Sequence, residues 1–256
     1  MIMFALLNLA IVSVLFFGML AMQEVGRRFA ERATGSAGQK RATGATEGAV
    51  YGMLGLFLAF TFSAAGQRFE ERRRLAVEEA NAIGTAWLRI DVLPASAQPR
   101  LRDLFRQYVD ARLQRAPLAM NPVAVAAAVT KYQLLQRDIW SAAVAAARES
   151  GQLPAFNVFL PALNEMIDIT QTRETMAEMR TPLAVFVMVA TLALIGSLFA
   201  GYDLAGKTRY WFHTVGFALV MAMALFVIVD LEFPRLGFIR VNATDSAIYD
   251  VRRAMQ

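Results

Sequence analysis

The stretch from Tyr51 to Arg89 constrains the fold most strongly, because an apolar helix passes there into a highly charged one. No charged residue occurs from Ala49 to Gly66, and 18 residues at a rise of about 1.5 Å just cross a hydrocarbon core of about 30 Å. Four arginines and two glutamates follow within the next eight residues, with no Pro and no turn signal. We therefore predict one continuous helix that crosses a membrane and extends into water.

Three more segments are long and apolar enough to span: Met3–Met22, Leu183–Tyr202 and Trp211–Val229. The chain is 57% hydrophobic and only 18% charged, which is too apolar for an ordinary soluble domain. The sequence predicts an all-α membrane protein with four transmembrane helices in two hairpins that flank a helical extramembrane domain. The predicted divisions are 1–66 for the first hairpin, 67–181 for the extramembrane domain continuous with the second span, 182–232 for the second hairpin, and 233–256 for a C-terminal tail.

Apolar residues recur every three or four positions through the middle domain, which predicts amphipathic helices. The first stripe is Phe69, Ala76, Ala80, Ile83, Trp87 and Ile90, and the second is Leu101, Leu104, Phe105, Tyr108 and Arg112. We expect a break at Pro94–Pro99, a helix from Pro122 to about Ser150, and another over Pro154–Glu178 that is interrupted or started at Pro161. Thr181 is the expected N-cap of the third span. The low-complexity residues 33–46 are expected to form a mobile loop or a frayed helix end.

Several protein classes fit the sequence poorly. The chain has no Cys, so thiolate metal sites are excluded, and its arginines are dispersed, which disfavours nucleic-acid binding. No ionisable residue lies near the middle of a span, whereas ion-coupled transporters and membrane enzymes need such groups. A channel gated by an apolar constriction needs none. We predict no cofactor, and we expect the first span to be retained as an anchor, since no basic segment precedes it.

The second span carries a stripe of small residues at helical spacing, namely Gly48, Gly52, Gly55, Ala59, Ser63 and Gly66. Small residues allow close helix contact, so this stripe either packs within the first hairpin or meets identical second spans around a symmetry axis. In the second case Gly52, Leu56, Phe60 and Ser63 line a pore, with Leu56 and Phe60 as an apolar constriction. The alternative for the aromatic residues of the second span is that they face the lipid.

Carboxylates occur at two places that need partners. Glu79 borders the apolar stripe, so we expect it to bind an Arg, a helix end or a cation. Glu78 follows Arg74 by four residues, the spacing of a helix-surface ion pair. Asp230 and Glu232 precede Pro234 and Gly237 at the end of the last span. With Glu79, they are weak metal candidates, because no further acidic ligands lie near them in sequence.

Three motifs resemble the bestrophin-like domain family of bacterial membrane proteins. The pattern Glu-Ala-x-Ala-Ile-Gly covers residues 79–84 and includes Asn81 and Gly84, and Tyr-Val-x-x-Arg covers Tyr108 to Arg112. The late pattern Asp-x-Glu-x-Pro-x-x-Gly covers Asp230, Glu232, Pro234 and Gly237. The resemblance spans most of the chain and implies a structural role for these residues.

The chain is also similar to true bestrophins, which are pentameric anion channels whose second helix lines the pore. That similarity implies a homo-oligomer, a pentamer by analogy, which sits in the lipid bilayer and passes small ions. Arg68, Arg72, Arg73 and Arg74, repeated around a ring, would raise the anion concentration at the pore mouth. The chain lacks the acidic run of the bestrophin calcium clasp and the Trp-rich end of the second span. The alternative is a non-conducting scaffold that presents its helical domain to a partner.

Basic residues near the membrane ends suggest an orientation. With the N-terminus inside, ten lie on the inner side and seven on the outer side. The basic cluster just after the first span favours the opposite orientation, but the resemblance to bestrophins supports the first. With that resemblance, we expect a multi-pass protein of the bacterial inner membrane with its helical domain in the cytoplasm.

Overall fold

The computed structural model describes residues 2–32, 37–115, 121–151, 155–204, 211–234, 237–239 and 242–255. These residues are almost entirely helical, and no strand occurs among them. The helices are α1 (Ile2–Arg32), α2 (Ala37–Leu88), α3 (Gln98–Arg115), α4 (Pro122–Ser150), α5 (Leu160–Glu178), α6 (Leu183–Asp203), α7 (Trp211–Glu232) and α8 (Asn242–Ala254). Four helical segments are long and apolar enough to cross a membrane, and they coincide with the four predicted spans, the first of them from Phe4 onward. The all-α, four-span architecture is therefore confirmed.

Helix α2 is the longest element and carries the predicted passage from an apolar to a charged segment. Its 52 residues run without interruption, and a 3₁₀ turn at Arg89–Val92 extends it. Of the low-complexity stretch 33–46, residues 33–36 lie outside the described residues, and the rest is the start of α2. Of the two expected forms, a mobile loop or a helix end, residues 37–46 take the second, because most residues from Ala37 onward, apart from two glycines, tolerate helical geometry well.

The chain divides into two compact units. The first unit contains α1, α2 up to Arg68, α6 and α7. Helix α1 packs against α6 and α7, and two glycines set the close approach of α1 and α6. A Cβ atom at Gly26 would collide with the carbonyl oxygen of Leu198, and one at Gly201 with the carbonyl oxygen of Gln23. Backbones in contact at small residues are typical of membrane helix packing.

The second unit contains α2 from Phe69, the helices α3, α4 and α5, and α8. The two predicted apolar stripes supply much of its core, since Ala76, Ala80, Ile83, Trp87, Ile90, Leu101, Phe105 and Tyr108 are all buried. The predicted helix starts are also found. Asn121 caps α4 by accepting a hydrogen bond from the Ala124 amide at 3.1 Å, and Gly151 ends that helix with a φ of 59°. A π turn at Ala155–Phe159 precedes α5, which places the interruption just before Pro161.

Two local expectations were wrong or incomplete. Pro182, rather than Thr181, is the cap of α6, and it makes no side-chain capping bond. The tail from 233 onward contains a helix, α8, for which we made no prediction. Ile248 of α8 and Met255, just after its last residue, are buried, and Arg252 binds Asp110 of α3 at 2.7 Å. These positions follow a helical spacing that marks an amphipathic helix.

Candidate functional site

The membrane half of α2 leaves one face open in the protomer. Gly52 and Ser63 are exposed on this face, as are Leu56 at 52% and Phe60 at 63%. A Cβ atom added at Gly48, Gly52, Gly55 or Gly66 would meet no atom of the described residues within 4 Å. Packing of the small-residue stripe within the first hairpin is therefore wrong for these glycines.

The opposite face of the same segment is held firmly by the other spans. Leu54 and Ala65 are buried, and the Tyr51 hydroxyl donates to the Gly196 carbonyl of α6 at 2.8 Å. The Tyr51 ring also meets Phe217 of α7 edge-on, with 6.1 Å between ring centres. These contacts fix the rotation of α2, so the open face is a defined surface of the protomer.

Two of the four candidate mouth arginines bind groups elsewhere in their own unit. Arg68 pairs with Glu232, with 3.1 Å from Nε to Oε1, and it also donates to the Thr181 hydroxyl. Thr181 in turn donates to Glu232 at 2.5 Å, so the residue expected to cap α6 belongs to this ion pair instead. Arg72 donates to the Met179 carbonyl at 2.7 Å. Both side chains thus link α2 to residues outside that helix.

The other two candidate mouth arginines pair with glutamates of α2 itself. Arg73 lies 2.9 Å from Glu70, three residues earlier. Arg74 lies 2.6 Å from Glu71 and 2.5 Å from Glu78, so the predicted pair of Arg74 and Glu78 is confirmed. The guanidinium groups at this end of the membrane segment are therefore accompanied by carboxylates.

The strongest electrostatic feature of the second unit is the carboxylate of Glu79, which is fully buried. Arg112 Nε donates to Glu79 Oε1 at 2.6 Å, and Arg173 binds the other carboxylate oxygen. Arg112 also reaches Glu174 at 2.8 Å, which balances the two arginines with two acids. The expected Arg partner of Glu79 is thus confirmed, and there are two of them.

The arrangement keeps Glu79 ionised in spite of its burial. Burial is the largest single influence and raises the pKa, but the nearby Arg112 and Arg173 together outweigh it and lower the pKa of Glu79 to about 2. The spacing of four between Tyr108 and Arg112 places both on one face of α3. The Tyr108 hydroxyl bonds Thr170 of α5 at 2.8 Å, and burial raises the pKa of Tyr108 to about 12.

The remaining motif positions lie outside the cluster of charged residues around Glu79. Asn81 is exposed, and Gly84 is half-buried, with a Cβ added there lying 3.9 Å from Val251 of α8. The carboxylate of Asp230 accepts the backbone amides of Phe238 at 2.9 Å and Ile239 at 2.7 Å. A Cβ atom at Gly237 would strike that carboxylate, so the glycine is needed for close approach.

The three carboxylates that were weak metal candidates bind groups of the protein instead. Asp230 binds backbone amides, Glu232 binds Arg68, and Glu79 binds two arginines, so each carboxylate has its own partner. Within the described ranges, no group of three or more His, Asp or Glu side chains could hold a metal ion.

Sequence reasoning missed the partners supplied by α5. Arg173 and Glu174 follow Thr170 by three and four residues, and the three side chains form the polar face that meets Glu79 and Arg112. A polar patch of this spacing on an otherwise amphipathic helix was the available signal.

Comparison with known proteins agrees with this geometry. A model of the Bestrophin-like domain matches residues 10–245. A crystal structure of a bacterial bestrophin homologue from Klebsiella pneumoniae, in a mutant form, is 16% identical, with 96% of each chain covered and a TM-score of 0.71. A second mutant form of that homologue is 18% identical, with coverage of 94% and 98% and a TM-score of 0.68.

A structure described only as a membrane protein is also 18% identical, with coverage of 94% and 98% and a TM-score of 0.67. No curated protein sequence matches significantly. The structural likenesses extend over nearly the whole chain and show a shared fold, while the match to the family covers most of the first span and all of the other three. The chain belongs to the bestrophin-like domain family.

Proposed function

We propose that this protein is one subunit of a homo-oligomeric ion channel in which copies of α2 surround a central pore. The observation that carries this proposal is the open face of α2, where Gly52, Leu56, Phe60 and Ser63 are exposed although Leu54 and Ala65, on the other side of the helix, are buried. Small residues facing lipid make poor contacts, whereas facing another helix they allow close packing. A pentamer is the expected stoichiometry by analogy with bestrophins.

The conduction path would pass an apolar constriction. Leu56 and Phe60 lie one turn apart on the open face, and rings of such side chains close a pore by excluding water. Small anions are the proposed permeant ions, as the resemblance to bestrophins implies. The protein would lie in the bacterial inner membrane, with the second unit in the cytoplasm.

One observation favours the alternative, a non-conducting scaffold that presents its helical domain to a partner. Arg68, Arg73 and Arg74 are each paired with a glutamate, which weakens the case for a purely cationic pore mouth. A scaffold would form a tight oligomer with a closed or lipid-filled axis and would pass no current.

Purified protein in planar lipid bilayers distinguishes these two functions. Phe60→Ala removes the bulk of the proposed constriction, so we expect a larger anion current than in the wild type. Phe62→Ala is the matched control, because Phe62 is also exposed, at 50%, but projects about 200° around the helix from Phe60. Equal currents in the two variants would exclude a gate at Phe60. A stable oligomer that never conducts, even as Phe60→Ala or Leu56→Ala, would favour the scaffold.

A further inference from the structure

The open face of α2 continues past the membrane segment along the same helix. Residues 52, 56, 63, 70, 74 and 81 fall within about 40° of one another around a helix with 100° per residue. Ser63 and Gln67 share this side and are linked by a hydrogen bond of 3.1 Å. Glu70 and Arg74 follow, with side chains 66% and 58% exposed. Charges of both signs therefore lie on the continuation of the face.

The charges of this segment are balanced. Residues 67–81 contain four arginines and four glutamates. Glu79 is buried against Arg112 and Arg173, while Glu70, Glu71 and Glu78 each lie beside Arg73 or Arg74 on the helix surface. A pore mouth built from this face presents carboxylates as well as guanidinium groups.

We propose that Glu70 is a selectivity-determining residue at the mouth of the pore, where it opposes the attraction of anions by the neighbouring arginines. This proposal rests on the proposed function, since it assigns a role on the same conduction path. Glu70 is the most exposed of the surface glutamates here, and among the described residues it pairs with Arg73, three residues away on the same helix.

The physical reason is that exposed ion pairs are weak and do not remove their charges from the field. Both partners of such a pair on a helix surface therefore remain accessible to passing ions. Each carboxylate cancels part of the positive potential, and copies around a ring multiply the effect. The channel should therefore favour chloride over potassium less strongly than the arginines alone would dictate.

The test measures reversal potentials of the full-length protein in planar bilayers with a potassium chloride gradient. Glu70→Gln should raise the permeability of chloride relative to potassium roughly two- to five-fold, as expected for one charge per subunit within about a Debye length. Arg74→Gln, on the same face, should shift the ratio in the opposite direction. Glu149→Gln is the control, since it removes the same charge from the exposed end of α4.

The outcomes separate the two proposals. Complete absence of current in the wild type and all variants would overturn the proposed channel itself. Current with an unchanged permeability ratio in Glu70→Gln would remove Glu70 from the conduction path while leaving the channel intact. An equal shift in Glu149→Gln would show that the effect reflects net charge rather than position, and would also overturn the assignment.

Discussion

The two halves of the continuous helix α2 differ in how much of their surface is buried within the protomer. The half before Arg68 buries one face against neighbouring spans and leaves the face of Gly52 and Phe60 open. The half after Arg68 buries its inner face around a charged residue, Glu79, held by Arg112 and Arg173. The difference shows that the second half is complete within the protomer, whereas the first half offers a surface suited to another helix.

The substitution with the largest expected effect tests whether the buried charges around Glu79 stabilise the second half of α2. Glu79→Ala leaves two guanidinium groups buried without their carboxylate, so we expect a loss of about 3–5 kcal/mol in unfolding free energy. The measurement is the melting temperature in detergent. Glu78→Ala is the control, because that neighbouring side chain is 40% exposed and should change little. An unchanged melting temperature in Glu79→Ala would mean that the carboxylate does not hold the unit together.

The pH dependence of stability tests the same contact between Glu79 and its arginines. The pKa of Glu79 is about 2 in the folded protein, against an ordinary value of 4.5. A lowered pKa gives stability that is fully present above 4.5 and is lost as the pH falls through 2, roughly 3 kcal/mol in all. Unfolding curves between pH 6 and about 2 should therefore fall less steeply for Glu79→Gln than for the wild type. Parallel curves would contradict this assignment.

The sequence predicted the course of α2 and its buried face, but it did not predict which residues bind Glu79. The continuity of α2 followed from an apolar run joined to a charged one without Pro, and the buried stripe followed from its spacing. The Arg partner of Glu79 followed from the cost of burying a lone carboxylate. Its identity did not, because Arg173 lies 94 residues away and only the tertiary fold brings it close.

The sequence was also an incomplete guide to the candidate pore and its mouth. The small-residue stripe of α2 was visible in the sequence, but whether it was covered depended on how the spans pack. The arginines after the membrane segment suggested a cationic ring, although the spacing of Glu70 and Glu71 to Arg73 and Arg74 already allowed surface pairs. Arg68 was the least predictable, since its partner Glu232 is 164 residues distant.

The smallest expected effect compares two glycines of the membrane unit, one packed and one on the open face. Gly201→Ala would force a methyl group against the Gln23 carbonyl, so we expect a loss of about 1–3 kcal/mol and a lower melting temperature. Gly52→Ala meets no described atom and should stay within about 0.5 kcal/mol of the wild type, or gain stability, since Ala favours helix more than Gly. Both variants are measured in detergent with the oligomeric state determined in parallel. If Gly52→Ala loses as much as Gly201→Ala while the protein is monomeric, the face of α2 is covered within the chain and is not available to line a pore.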